Sequence, residues 1–242
     1  MADTTKPINF NISFHAGSII RILWIAAAIL LAASIAVNTL GGVTGDYRIH
    51  GVVPLFDLDS ERNIPTAASM LLILFASLLL GLVAYIRHQT KESDIRYWTL
   101  LSAGFLYMAL DEGLCVHERL INPCRTLLGG GNLGVLHFAW VLPGILVVAI
   151  VGISFLKFTL SLPASTKRNF LIAAFLYLGG AIGFELIGGF LSESYSENSF
   201  IYRLSTTVEE GLEIVGMIWF IRALLQYLSK IYPGKSIHLE FK

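Results

Sequence analysis

Six stretches of about twenty mostly apolar residues, joined by short polar connections, constrain this chain more than any other feature of its sequence. A helix rises about 1.5 Å per residue, so about 20 such residues cross a hydrocarbon core about 30 Å thick. The candidate spans fall at about residues 19–40, 65–86, 97–118, 132–157, 169–191 and 205–228, with an outer loop at 41–64. Lipid offers no partner to backbone N–H and C=O groups, and segments of this length satisfy their own only as helices. The expected fold is therefore all-α, a polytopic integral membrane bundle of six transmembrane helices, with residues 1–242 forming a single transmembrane domain. Composition agrees: 55% of the 242 residues are hydrophobic and 14% are charged, against about 25% charged in a soluble domain. The first apolar stretch follows a weakly basic leader, but it is longer than the apolar region of a secretory signal, and it reads as a retained span.

Charge sets the orientation. Of 17 basic residues, 12 lie at the ends or in the second-to-third and fourth-to-fifth connections: Lys6, Arg21, Arg87, Lys91, Arg96, Lys157, Lys167, Arg168, Arg222, Lys230, Lys235 and Lys242. Only Arg48, Arg62, Arg119, Arg125 and Arg203 fall on the other side. The positive-inside rule then puts both termini in the cytoplasm, N-in and C-in. Acids show the reverse bias, with 13 of 17 in outer loops or the outer halves of spans. Acids contribute little to topology, so that excess needs another cause.

The third span ends in Asp111-Glu112-Gly113-Leu114-Cys115-Val116-His117-Glu118-Arg119. On a continuous helix, Tyr107, Asp111, Cys115 and Glu118 share one narrow face, and His117 points about 120° away from Asp111. The sixth span sets Glu209, Glu210 and Glu213 within about 100° of arc, with Thr206, Gly216 and Met217 on the same face. The fifth carries Glu185 in a glycine-rich run whose Gly179/Gly183 spacing suits close helix approach, and His137 stands at the outer end of the fourth. Counted from the cytoplasmic ends, Asp111, Glu185, Glu210 and Glu213 all fall about 20–25 Å across, with Glu118 and His137 further out. Like charges on one membrane-embedded face are tolerable only if a cation, protons or basic side chains compensate them. The bland alternative is that Glu118, Glu209 and His137 are interfacial and hydrated, that Cys115 and Met217 merely pack, and that Arg119 or Arg203 neutralises part of the charge.

Asp57, Asp59 and Glu61 alternate in the outer loop, but the segment lacks the glycine and terminal glutamate of an EF-hand, which leaves calcium a minor reading there. Pro65 marks the start of the second span. Cys115 and Cys124 fit no zinc spacing and support no redox conclusion. Nothing in the chain forms a P-loop, a G-x-S-x-G elbow or an H-E-x-x-H motif. The run Phe56-Asp57-Leu58-Asp59-Ser60-Glu61-Arg62-Asn63-Ile64-Pro65-Thr66, followed about fifty residues later by Leu110-Asp111-Glu112 and His117-Glu118, resembles a family of bacterial multi-pass membrane proteins of unassigned activity. The resemblance covers roughly the first half of the chain. It implies a bacterial cytoplasmic (inner) membrane and brings no activity.

From the residues, the leading expectation is a metal site in the outer half of the bundle, with Asp111, Glu112, Glu118, Glu185, Glu209, Glu210 and Glu213 as candidate ligands and His117 or His137 completing the shell. One or two divalent ions, Fe, Mn or Zn, suit that donor set, and the chemistry expected is oxidation or hydrolysis of a lipid-soluble substrate. Two alternatives come from other classes. A proton- or cation-coupled transporter or channel would use the acids as titrating or ion-binding groups, yet the inner halves of the spans hold few ionisable residues. A non-catalytic subunit of a larger membrane complex would bind haem or pigment through His117 or His137, a use that no paired histidines support. The lipid bilayer is the expected partner. A formal net charge of zero argues against nucleic acid.

Overall fold

A computed structural model describes residues 16–46 and 51–231. The charges counted above at Asp3, Lys6, Arg48, Lys235, Glu240 and Lys242 lie outside the described residues. Within them the fold is all-helical: α1 Ala16–Thr44, α2 Val52–Phe56, α3 Ile64–Gln89, α4 Ile95–Leu114, α5 Ile121–Leu127, α6 Val141–Ser161, α7 Ala164–Leu178, α8 Glu185–Tyr195 and α9 Phe200–Ile231. Short 3-10 turns precede α5 and α6, and a π-helical segment, Gly179–Phe184, joins α7 to α8. Five of these helical stretches are long and apolar enough to cross a membrane, with α7 to α8 counted as one. A sixth exists if α4 and the bent segment after it make one span.

Local signals explain the boundaries. The Asn63 side chain accepts from Thr66 N at 3.1 Å and Pro65 fills the first turn, so α3 starts where its free N–H groups are capped. Leu162 and Pro163 separate α6 from α7, because proline disfavours helical backbone in the residue before it. The third span differs from expectation: α4 stops at Leu114, Cys115 adopts a left-handed φ of 51°, and the chain turns by 75° into His117–Leu127. The fourth span starts at Val141 rather than 132, because residues 132–140 form a loop and a 3-10 turn. His137 therefore sits in that loop and not on a helix.

α9 is the centre of the bundle, packed against α1, α3, α7, α8 and the π segment. Close approach there depends on two glycines other than those the spacing suggested. A Cβ on Gly180 would lie 2.6 Å from Glu209 O and 2.8 Å from Glu213 Cγ, and one on Gly216 would lie 2.7 Å from Tyr177 N. Gly179 and Gly183 face open space. α3 and α4 are clasped by reciprocal bonds, Ser77 Oγ to Ser102 O at 2.8 Å and Ser102 Oγ to Ser77 O at 2.9 Å. Toward the end that holds the start of α4 and the end of α9 the interior is solid: Trp98, Leu80, Ile221, Leu224 and Tyr227 are fully buried. There Trp98 stacks on Tyr227 at 4.9 Å and meets Phe158 edge-on at 5.1 Å. At the opposite end of the same helices the lining becomes acidic.

Candidate metal centre

Five separate parts of the chain deliver carboxylates to one layer. The end of α4 supplies Asp111 and Glu112, the following 3-10 turn supplies Glu118, and α8 begins at Glu185 directly after the π segment. α9 supplies Glu209, Glu210 and Glu213, and the outer loop between α2 and α3 supplies Glu61. Glu112 lies in electrostatic contact with Glu61, His117, Asp111 and Glu118. Glu210 feels Glu213, Glu112, Glu61 and Glu185, and Glu213 feels Glu112, Glu185 and His117. The side chains of Glu185 and Glu209 stand at hydrogen-bonding reach of each other, as do those of Glu118 and Glu61. Two carboxylates that close share a proton or a cation. All six glutamates of the helical part are half-buried.

The tightest convergence is Glu61, Cys115 and Glu118, whose donor atoms all lie within 4.8 Å of one another. Cys115 is 6% exposed, and its thiol donates to Glu61 Oε2 at 3.2 Å. Of these three only Glu118 was expected as a ligand. Glu61 sits in a loop whose path over the bundle no spacing rule reveals; its alternation with Asp57 and Asp59 was the one available signal. Cys115 shares the Asp111 face on a continuous helix, but the turn at Cys115 is what aims its sulfur at the loop.

That turn also overturns the helical-wheel placement of His117. Its backbone N–H donates to Asp111 Oδ1 at 2.9 Å, and its Nδ1 lies 2.9 Å from Asp111 Oδ2. The imidazole rests against Trp140 at 4.6 Å, and Trp140 Nε1 donates to Glu185 Oε1 at 2.5 Å. Tyr177, which the sequence did not single out, places its hydroxyl in hydrogen-bonding reach of Glu213. His137 is engaged elsewhere: its Nδ1 lies 2.9 Å from both Glu193 Oε1 and Arg125 Nη1, while Arg125 donates to His137 O at 2.8 Å. Glu193 also accepts from Leu133 N and Gly134 N, which makes this group the anchor of the 128–140 loop.

The outer loop is pinned from both sides. Buried Asp57 accepts from Asn38 Nδ2 at 2.8 Å and from Arg203 Nη1 at 3.3 Å, and Asn38 Oδ1 accepts from the same Arg203 nitrogen at 2.7 Å. These contacts explain the conspicuous loop acid as an anchor to α1 and α9. Asp59 accepts from the Tyr202 hydroxyl at 3.0 Å. Partial burial against α9 outweighs that bond and pushes the Asp59 carboxyl up to about 6, although one edge of the residue stays exposed.

Fold and site together define a class: an all-helical bundle with helices apolar enough to cross a membrane, carrying a Glu/Cys/Glu group able to hold a metal ion. The chain belongs to the family described as Domain of unknown function (DUF8692), whose family model matches residues 21–228. No curated protein and no solved structure matches the chain.

Proposed function

We propose that this protein is a six-span membrane metalloprotein, N-in and C-in, that binds a divalent transition metal ion in the outer half of its bundle and acts on a lipid-soluble substrate. The observation that carries the reading is the approach of two carboxylates and a thiol from two segments far apart in sequence, Glu61 on the loop and Cys115 and Glu118 at the break after α4, to within 4.8 Å. Ionised, this set is strongly anionic in a region where membrane proteins rarely leave charge uncompensated. Two arginines near this level have other partners, Arg203 with Asp57 and Arg125 with Glu193, which leaves Arg62 and His117 as basic groups in reach of the acids and the thiol. A cation is the compensation that the donor set supports best.

One sulfur with several oxygens suits Zn²⁺ or Fe²⁺ better than Mg²⁺ or Ca²⁺. A bound ion of this kind supplies Lewis acidity and an activated water, which fits hydrolysis with zinc, while oxidation would need iron. Glu112, adjacent to both Glu61 and Glu118, is placed to accept a proton, and Glu210, Glu213 and Tyr177 continue the polar layer inward. The aromatic plug around Trp98 and Tyr227 closes the opposite half of the bundle, which supports a blind site over a conducting pathway. The basic bias of the connections supports a cytoplasmic membrane, with the site facing its outer side.

Elemental analysis of detergent-purified protein, alongside Cys115→Ser and Glu118→Gln, tests the reading. Stoichiometric zinc or iron in the parent protein, lost in both variants, is expected. A metal-free parent that fails to take up either ion on reconstitution, or variants that bind as the parent does, would overturn it.

A further inference from the structure

The metal reading leaves open why an exposed loop residue should reach a buried thiol, and the loop itself supplies the answer. Glu61 lies between two sets of restraints. On its N-terminal side the Asp57 carboxylate is held by Asn38 and Arg203, and it accepts from Asp59 N at 3.4 Å and Ser60 Oγ at 3.3 Å. On its C-terminal side the Asn63 amide donates to Asp57 O at 2.6 Å and Pro54 O at 2.9 Å while its oxygen caps α3 at Thr66. The loop is thereby closed on itself and fixed to α1, α3 and α9.

Strain marks the same spot. Arg62, next to Glu61, has a φ of 59°, and Cys115, which Glu61 contacts, has a φ of 51°. A non-glycine residue in the left-handed region costs about 1 kcal/mol or more and persists where its surroundings over-determine it, a feature that gathers at ligand clamps. The 3.2 Å contact from Cys115 to Glu61 thus joins one such residue to the chain neighbour of the other.

We propose that the outer loop is a positioning device: Asp57, bound by Arg203 and Asn38, and Asn63, bound across the loop, hold the Glu61 carboxylate against Cys115, so that a metal ion at Glu61, Cys115 and Glu118 ties the loop to the broken third span. Arg203 and Asn38 act through Asp57, whose carboxylate both of them bind. This inference rests on the metal reading and adds which residues pre-form the site.

The test uses full-length protein in a Cys124→Ser background, where Cys115 is the single thiol, and follows maleimide labelling of Cys115 as Zn²⁺ is titrated. The parent is expected to be protected by zinc. Arg203→Gln should raise the zinc concentration needed for protection by about 10–100-fold, the usual effect of losing a group that orients a ligand. Arg203→Lys should recover part of that loss, and Asn38→Ala, which keeps every charge, should lie between parent and Arg203→Gln. Should Arg203→Gln fail to fold, Asn38→Ala carries the comparison alone. Folded variants with the parent's zinc dependence would overturn the positioning role and leave the metal reading standing. A parent that zinc neither protects nor occupies would remove both.

Discussion

The Asp111 carboxylate holds His117 at two points, one oxygen on the backbone N–H and the other on the ring Nδ1, each at 2.9 Å. The two residues are six apart, a separation that would put them on different faces of a continuous helix. They meet because the chain leaves helical geometry at Cys115. The bond to Asp111 replaces the helical partner that the His117 N–H would otherwise have had.

Removing Asp111 therefore strands a half-buried N–H and an imidazole together. Asp111→Ala should destabilise the protein by about 1–3 kcal/mol, the cost of leaving such groups unsatisfied. Asp111→Asn, which keeps an acceptor for the N–H, should lose less. Thermal unfolding in detergent measures both.

His137 makes a separate prediction. Its ring is committed to Glu193 and Arg125, so His137→Gln and Glu193→Gln should lower thermal stability and speed proteolysis of the 128–140 loop. Bound metal should stay at the parent level in both, as read by elemental analysis.

Helix approach around α9 is limited by backbone. Gly180→Ala and Gly216→Ala each push a methyl group to within 2.7 Å of backbone atoms, and neither neighbour can rotate away. Overpacking of this kind costs about 1–3 kcal/mol. Gly179→Ala and Gly183→Ala, which meet nothing within 4 Å, should leave unfolding temperatures nearly unchanged.

Asp59 gives a pH signature. Its folded pKa of about 6 lies above the ordinary 3.8, so the folded state binds the proton more tightly than the unfolded chain does. Stability from this group is greatest at low pH and falls as pH rises from about 4 to about 6. Measured against Asp59→Asn, the parent should lose relative thermal stability across that interval and change little above it.

Much of this architecture could be read from the chain. Apolar length alone marks α1, α3 and α9, and counting depth along helices puts Asp111, Glu185, Glu210 and Glu213 at similar levels, of which Glu185, Glu210 and Glu213 lie in electrostatic reach of one another. What escaped was decided by tertiary contacts. The left-handed turn falls on Cys115, a residue type with no preference for it, and the Arg125, Glu193 and His137 network keeps residues 132–140 out of the helix that their hydropathy suggested. Glu61 reads as one of several loop acids until the Asp57 anchor fixes the path of its loop. The glycines at 179, 180 and 183 signalled an irregular stretch, but only the π turn shows that Gly180 is the one that touches α9.

X-ray absorption at the zinc or iron edge of the purified, metal-loaded protein tests the central claim most directly. Coordination by Glu61, Glu118 and Cys115 predicts a single sulfur at about 2.3 Å beside oxygen or nitrogen ligands at about 2.0–2.2 Å, with the sulfur shell gone in Cys115→Ser. A shell of oxygen alone, or a sulfur signal that survives Cys115→Ser, would contradict it.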